Sequence, residues 1–72
     1  MNTLSKISVD KLMFPVDGYV YNVSISRSVD GGKTYLYCGC GRYCKTMDDV
    51  ERFIAETKIK ENVVADGISY NV

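Results

Sequence analysis

Gly18-Tyr19-Val20-Tyr21-Asn22-Val23-Ser24-Ile25-Ser26-Arg27-Ser28, then Val29-Asp30-Gly31-Gly32-Lys33, then Thr34-Tyr35-Leu36-Tyr37-Cys38-Gly39-Cys40-Gly41-Arg42-Tyr43, is the stretch that decides the fold. In the first part Tyr19, Tyr21, Val23 and Ile25 alternate with Val20, Asn22, Ser24 and Ser26. Period-two alternation rich in β-branched and aromatic residues is the mark of a half-buried strand. Asp30-Gly31 and Gly31-Gly32 supply the positive φ angles of a hairpin turn. The third part reads as the return strand, so a β-hairpin of 18–28 and 34–43 is expected at the centre of the molecule.

Outward from the hairpin, Thr46 opens a helix. Thr46 with Asp49 approximates a capping box, and Asp48 and Asp49 lie where carboxylates favour the helix dipole. Met47, Val50, Phe53, Ile54 and Thr57 make one face, and Asp48, Glu51, Arg52 and Glu56 cover the others. The pattern predicts an amphipathic helix over about 46–59. Ile68–Val72 reads as a last strand after a turn at Asp66-Gly67. Residues 1–15 fit neither period cleanly. A short strand at about Thr3–Val9 and a helical turn both remain open, and Pro15 separates this loosely attached arm from the hairpin. Asp17-Gly18-Tyr19-Val20-Tyr21-Asn22-Val23 is echoed by Asp66-Gly67-Ile68-Ser69-Tyr70-Asn71-Val72. Two strands starting from similar turns, or two segments in similar sheet positions, would each produce the echo. The fold class expected is α+β: a small two-layer sandwich with an antiparallel sheet on one helix, as a single domain over 1–72.

The parity of the hairpin loop assigns the faces. An even loop puts Leu36, Cys38 and Cys40 with Tyr21, Val23 and Ile25 under the helix, leaving Tyr35 and Tyr37 beside Asn22, Ser24 and Ser26 on the open face. A three-residue loop exchanges the faces. The even loop is favoured, because free cysteine is among the most buried residue types.

Composition narrows the function. The chain has 72 residues, nine Lys+Arg, nine Asp+Glu and no histidine. A domain this small buries only roughly 60% of its unfolded surface, so partners, metals or disulfides often support such chains. Zero net charge gives no whole-molecule field toward nucleic acid or a membrane. The charge is uneven, at +3 over residues 1–45 and −3 over 46–72. Nothing resembles an export signal or a membrane span, and three cysteines are an odd number. A reducing cytoplasm is therefore the expected location.

Catalysis has little to stand on. No histidine is present to activate a nucleophile, and the adjacent Asp48 and Asp49 diverge on a helix and suit a helix start. The chain is read as not an enzyme and as needing no cofactor. Cys38-Gly39-Cys40-Gly41-Arg42-Tyr43-Cys44 resembles half a metal knuckle, but a fourth soft ligand is missing and alternate strand residues do not converge. Cys38, Cys40 and Cys44 as a thiol or metal site is thus a minor reading beside structural cysteines. Gly39 and Gly41 mark a bulge or close backbone approach rather than a phosphate loop.

The order of elements, though no motif, resembles that of several small phage-borne and toxin–antitoxin proteins. The resemblance implies a compact protein that binds and blocks another macromolecule. The lead expectation is a protein-binding module acting through the open sheet face or an edge strand, with Tyr35, Tyr37, Arg27, Lys33 and Arg42 as the contact residues. A homodimer paired edge to edge is a version of it. The alternative is single-stranded nucleic-acid binding, with Arg27, Lys33, Arg42 and Lys45 interleaved with Tyr35, Tyr37 and Tyr43.

Overall fold

The structure is a computed structural model; it describes residues 3–72, with the side chains of residues 38–40 outside the description. Among the described residues the chain forms four strands and one helix in the order β1 (Leu4–Val16), β2 (Tyr19–Ser28), β3 (Leu36–Cys44), α1 (Met47–Lys60) and β4 (Val63–Asn71). The strands lie in the order β3-β2-β1-β4. β1/β2 and β2/β3 are antiparallel, whereas β4 joins β1 in parallel. The chain therefore crosses from one sheet edge to the other through α1. The expected α+β sandwich is present, with a mostly antiparallel sheet in place of a wholly antiparallel one. A parallel partner needs a long crossover, and the helix supplies it.

Of the readings open for residues 1–15 the strand holds: β1 runs over Leu4–Val16 and lies inside the sheet, not as a helical turn or a loosely attached arm. Ile7 pairs with Ile25 and Val9 with Val23 on one side, and with Ile68 and Tyr70 on the other. Asp17 and Gly18 form the two-residue turn between β1 and β2, with φ of 52° and 84°. Both angles are positive, as the hairpin turn matching strand twist requires. Pro15 is tolerated because it lies beyond the stretch where β4 covers β1, where a missing N–H breaks no inner ladder.

Ile7, Val9, Val23 and Ile25 share one sheet face and are buried against Val50 and Ile54 of α1, with Cys44 closing the cluster. The helix begins at Thr46, whose Oγ1 accepts from the Asp49 N–H at 3.3 Å. At its far end the Glu61 N–H bonds the Thr57 carbonyl at 2.8 Å. The Glu61 carboxylate then accepts from Arg27 Nε (2.7 Å), Arg27 Nη2 (2.8 Å) and Ser5 Oγ (2.9 Å). One carboxylate thereby ties the helix end to β1 and β2.

The parity of the even loop holds, with Arg27 paired with Leu36, Val23 with Arg42 and Tyr21 with Cys44. Leu36, expected under the helix, is instead 69% exposed outside the cluster that α1 covers, and Cys38 and Cys40 lie outside the described side chains. The loop is longer than a tight turn: it runs over 29–35, and Arg27↔Leu36 is the last β2–β3 pair before it. Asp30 organises it. Its Oδ1 accepts from Ser28 Oγ (2.6 Å), Lys33 N (3.0 Å) and Thr34 N (3.0 Å). These bonds, the one from Ser28 first, hold the Asp30 carboxyl below its usual value. Gly31 and Gly32 supply the positive φ angles of 79° and 96°. The irregularity expected near Gly39–Gly41 is present, since the register shifts between the pairs Ser24↔Gly41 and Ser26↔Tyr37. A Cβ on Gly41 would lie 2.5 Å from the Val23 carbonyl oxygen. Here glycine is required by close backbone approach.

Candidate functional site

The open sheet face is polar where β4, β1 and β2 meet and carries Tyr37 and Tyr43 on β3. Asn22 and Asn71 flank Asp10 from either side, and Ser24 and Ser69 flank Ser8. Asn71 Nδ2 donates to Asp10 Oδ1 (3.0 Å) and Ser8 Oγ (3.2 Å). The echo of Asp-Gly-x-x-Tyr-Asn-Val thus belongs to two segments that border the same central strand. Their turns differ, however: Asp17-Gly18 closes a hairpin, whereas Asp66-Gly67 lies within β4.

The five residues expected to form a contact surface do not gather in one place. Tyr37 is 63% exposed on the outer strand. Tyr35 is half-buried, with Lys6 Nζ 4.4 Å from its ring centroid. Lys33 is exposed in the 29–35 loop. Arg27 lies on the helix side and is committed to Glu61. Arg42 also lies on the helix side, with its guanidinium carbon 4.8 Å from the Phe53 ring centroid. Arg27 and Val23, the partner of Arg42, face the helix, whereas Ser26, the partner of Tyr37, faces the other way, so the sheet itself divides the set.

Two surfaces remain. The first is the outer strand β3, which carries exposed Leu36, Tyr37 and Tyr43. A shallow depression of about 200 Å³ lined by Asn22, Tyr37, Gly41, Arg42 and Tyr43 accompanies it. The second is a cleft of about 400 Å³ where β3 runs into α1, lined by Tyr19, Arg42, Tyr43, Cys44, Lys45, Asp49, Arg52 and Phe53. Tyr19 and Tyr43 have ring centroids 6.2 Å apart at 40°. Lys45 Nζ is 5.2 Å from the Tyr19 ring centroid. Arg52 approaches Asp49 at 3.9 Å. Sequence reading picked out Arg42, Tyr43 and Lys45 but missed Tyr19, Asp49, Arg52 and Phe53. The cleft lies where β3 turns into α1, and packing of the sheet brings the distant Tyr19 to it.

Cys44 is 2% exposed. Burial, with Asp49 adding to it and Arg42 opposing, pushes its thiol above the ordinary range. Reactive thiols need the reverse, a stabilised thiolate. Cys38 and Cys40, the other members of the cysteine run, lie outside the described side chains. Among the described residues no three His, Cys, Asp or Glu side chains group as metal ligands, and no helix is long and apolar enough to cross a membrane. No family model, curated protein or solved structure matches this chain.

Proposed function

We propose that this chain is a non-enzymatic protein-interaction module that binds its partner along β3. The observation that carries the reading is an outer strand with three large, exposed side chains: Leu36 at 69%, Tyr37 at 63% and Tyr43 at 52%. An outer strand offers backbone N–H and C=O groups to an added strand, and its side chains give that addition specificity. Tyrosine contributes apolar area together with a polar tip and is enriched at interfaces. The adjoining loop adds Lys33; Tyr37 and Tyr43 lie on the open-face side of β3, opposite Ser26 and Asn22, and Leu36 on the helix side, opposite Arg27, so an added strand would meet side chains on both faces. A second copy of the chain paired along β3 is the homodimeric form of the same reading.

The test compares capture from source-cell lysate by the parent chain, the double variant Tyr37→Ala/Tyr43→Ala, and Met13→Ser. Met13 is 87% exposed near the β1–β2 turn and serves as the control. A nuclease-resistant protein partner lost with the double variant and kept with Met13→Ser is the expected result. Equal recovery by the double variant would refute the β3 assignment. Light scattering on the same two variants reads the homodimer.

A further inference from the structure

We infer that the cleft between β3 and α1 binds a nucleoside phosphate, either a free nucleotide or a unit of a single strand of nucleic acid. This inference goes beyond the β3-edge reading and does not depend on it. The cleft gathers the cations Arg42, Lys45 and Arg52 against the single carboxylate of Asp49. The lining is therefore net positive in a chain whose total charge is zero. Arg42 is held over Phe53 and Lys45 over Tyr19, and neither has a carboxylate partner among the described residues. Asp49 reaches Arg52 only at 3.9 Å, and the Arg52 side chain is 74% exposed. Converging cations with so little internal neutralisation favour an anion, and two guanidinium groups suit phosphate oxygens.

The rings decide which anion. Tyr43 is half exposed and meets Tyr19 at a tilt, leaving ring surface open to the cleft. Aromatic faces beside guanidinium groups stack a planar base while the cations hold its phosphate. A carboxylate-rich peptide would use the charges and leave the rings idle. Inorganic phosphate would leave most of the volume empty, since about 400 Å³ is the size of a small-molecule pocket. Asp49 opposes a phosphate on its own side. It directs the phosphate toward Arg42 and Lys45 and offers an acceptor to an N–H donor on the edge of a base.

The test uses the full chain labelled with ¹⁵N, and four probes: AMP, inorganic phosphate, a decathymidylate and deca-glutamate. AMP and the decathymidylate are expected to shift the amide resonances of Tyr43, Lys45 and Arg52, with inorganic phosphate weaker than AMP and deca-glutamate unable to displace either. Decathymidylate binding far tighter than AMP identifies a strand as the source; similar affinities identify a free nucleotide. Arg42→Gln and Arg52→Gln, both at exposed side chains, should each weaken binding about tenfold. Tyr43→Leu should weaken it by about fivefold to a hundredfold through lost stacking. Three phosphate contacts would give a log–log salt slope of about −2 for the single strand. Absent shifts at those amides, equal binding by inorganic phosphate or deca-glutamate, or parent affinity in folded Arg42→Gln and Tyr43→Leu would each overturn the inference.

Discussion

Replacing Glu61 by Gln tests whether one carboxylate holds the sheet and the helix end together. The change keeps size and shape but removes the charge that accepts two hydrogen bonds from Arg27 and one from Ser5. Hydrogen bonds to charged groups contribute about 1.5–3 kcal/mol when sheltered. The Arg27 side chain is 37% exposed and that of Glu61 19%. Solvent screening lowers the figure, so the expected loss is about 1–2 kcal/mol for the whole latch. In a domain of this size that is a fall in Tm of about 4–16 °C. The pH dependence supplies a second reading. Arg27 first, and Ser5 after it, hold the Glu61 carboxyl below its ordinary 4.5 against the opposing effect of burial. A carboxyl depressed by folding contributes stability that is fully present above its unfolded value and lost as pH falls through its folded one. The gap in Tm between parent and variant, followed by circular dichroism, should be widest near neutral pH and should close below 4.5 as the parent's carboxyl protonates. Comparing the two chains removes the contribution of Asp30, which titrates in the same direction. A gap that stays constant through that range, or a double-mutant cycle with Arg27→Met showing no coupling, would refute the reasoning.

Ile7→Ala removes a side chain 1% exposed at the centre of the core; it should cost about 2–5 kcal/mol in a urea titration, a large part of the whole stability of such a domain, and a cost below about 1 kcal/mol would move the core elsewhere. Gly41→Ala and Gly31→Ala separate crowding from backbone conformation. A Cβ at Gly31 meets nothing within 4 Å but has a φ of 79°, whereas one at Gly41 meets the Val23 carbonyl at 2.5 Å. Gly31→Ala should cost about 1–2 kcal/mol with unchanged β3 amide shifts, while Gly41→Ala should displace β3 from β2 and alter those shifts. Alkylation by iodoacetamide at mildly alkaline pH, mapped by peptide mass, should modify Cys44 slowly until denaturant is added, because burial shelters the thiol and raises its pKa; rapid modification in the folded chain contradicts its place in the core.

The strand alternation from Tyr19 to Ile25 and the periodicity from Met47 to Thr57 were legible because each states its period within a single element. The parity of the hairpin matched the expectation drawn from the burial preference of cysteine, but the burial of Leu36 did not follow from it, because the helix covers β3 only toward its Cys44 end. β1 was harder to read. It is covered on both edges but extends past β4, so its first half reads as a buried strand and its second half, with Met13, Phe14 and Pro15, as something else. The signal that would have found it is Asp17-Gly18, a two-residue turn whose recognition makes the arm the partner of β2. Arg27 and Arg42 were grouped with the tyrosines by nearness in sequence. In a strand neighbours face opposite ways, and Glu61 and Phe53, their actual companions, lie far along the chain. No local pattern announces such contacts.

The place of β1 also sets an order in time. During synthesis β1 and β2 emerge first and can close their hairpin at once, through a turn of two residues. The other edge of β1 waits for β4, whose Asn71 is 61 positions beyond Asp10. Until then the central strand keeps one flank bare, with Ile7 and Val9 uncovered by the helix that arrives just before β4. Closing so long a loop late is slow, and an unpaired apolar flank is the usual template for pairing with the wrong chain. A chain stopped before Val63 would retain that flank permanently, so the nine residues of β4 act as a seal against self-association as well as a fourth strand.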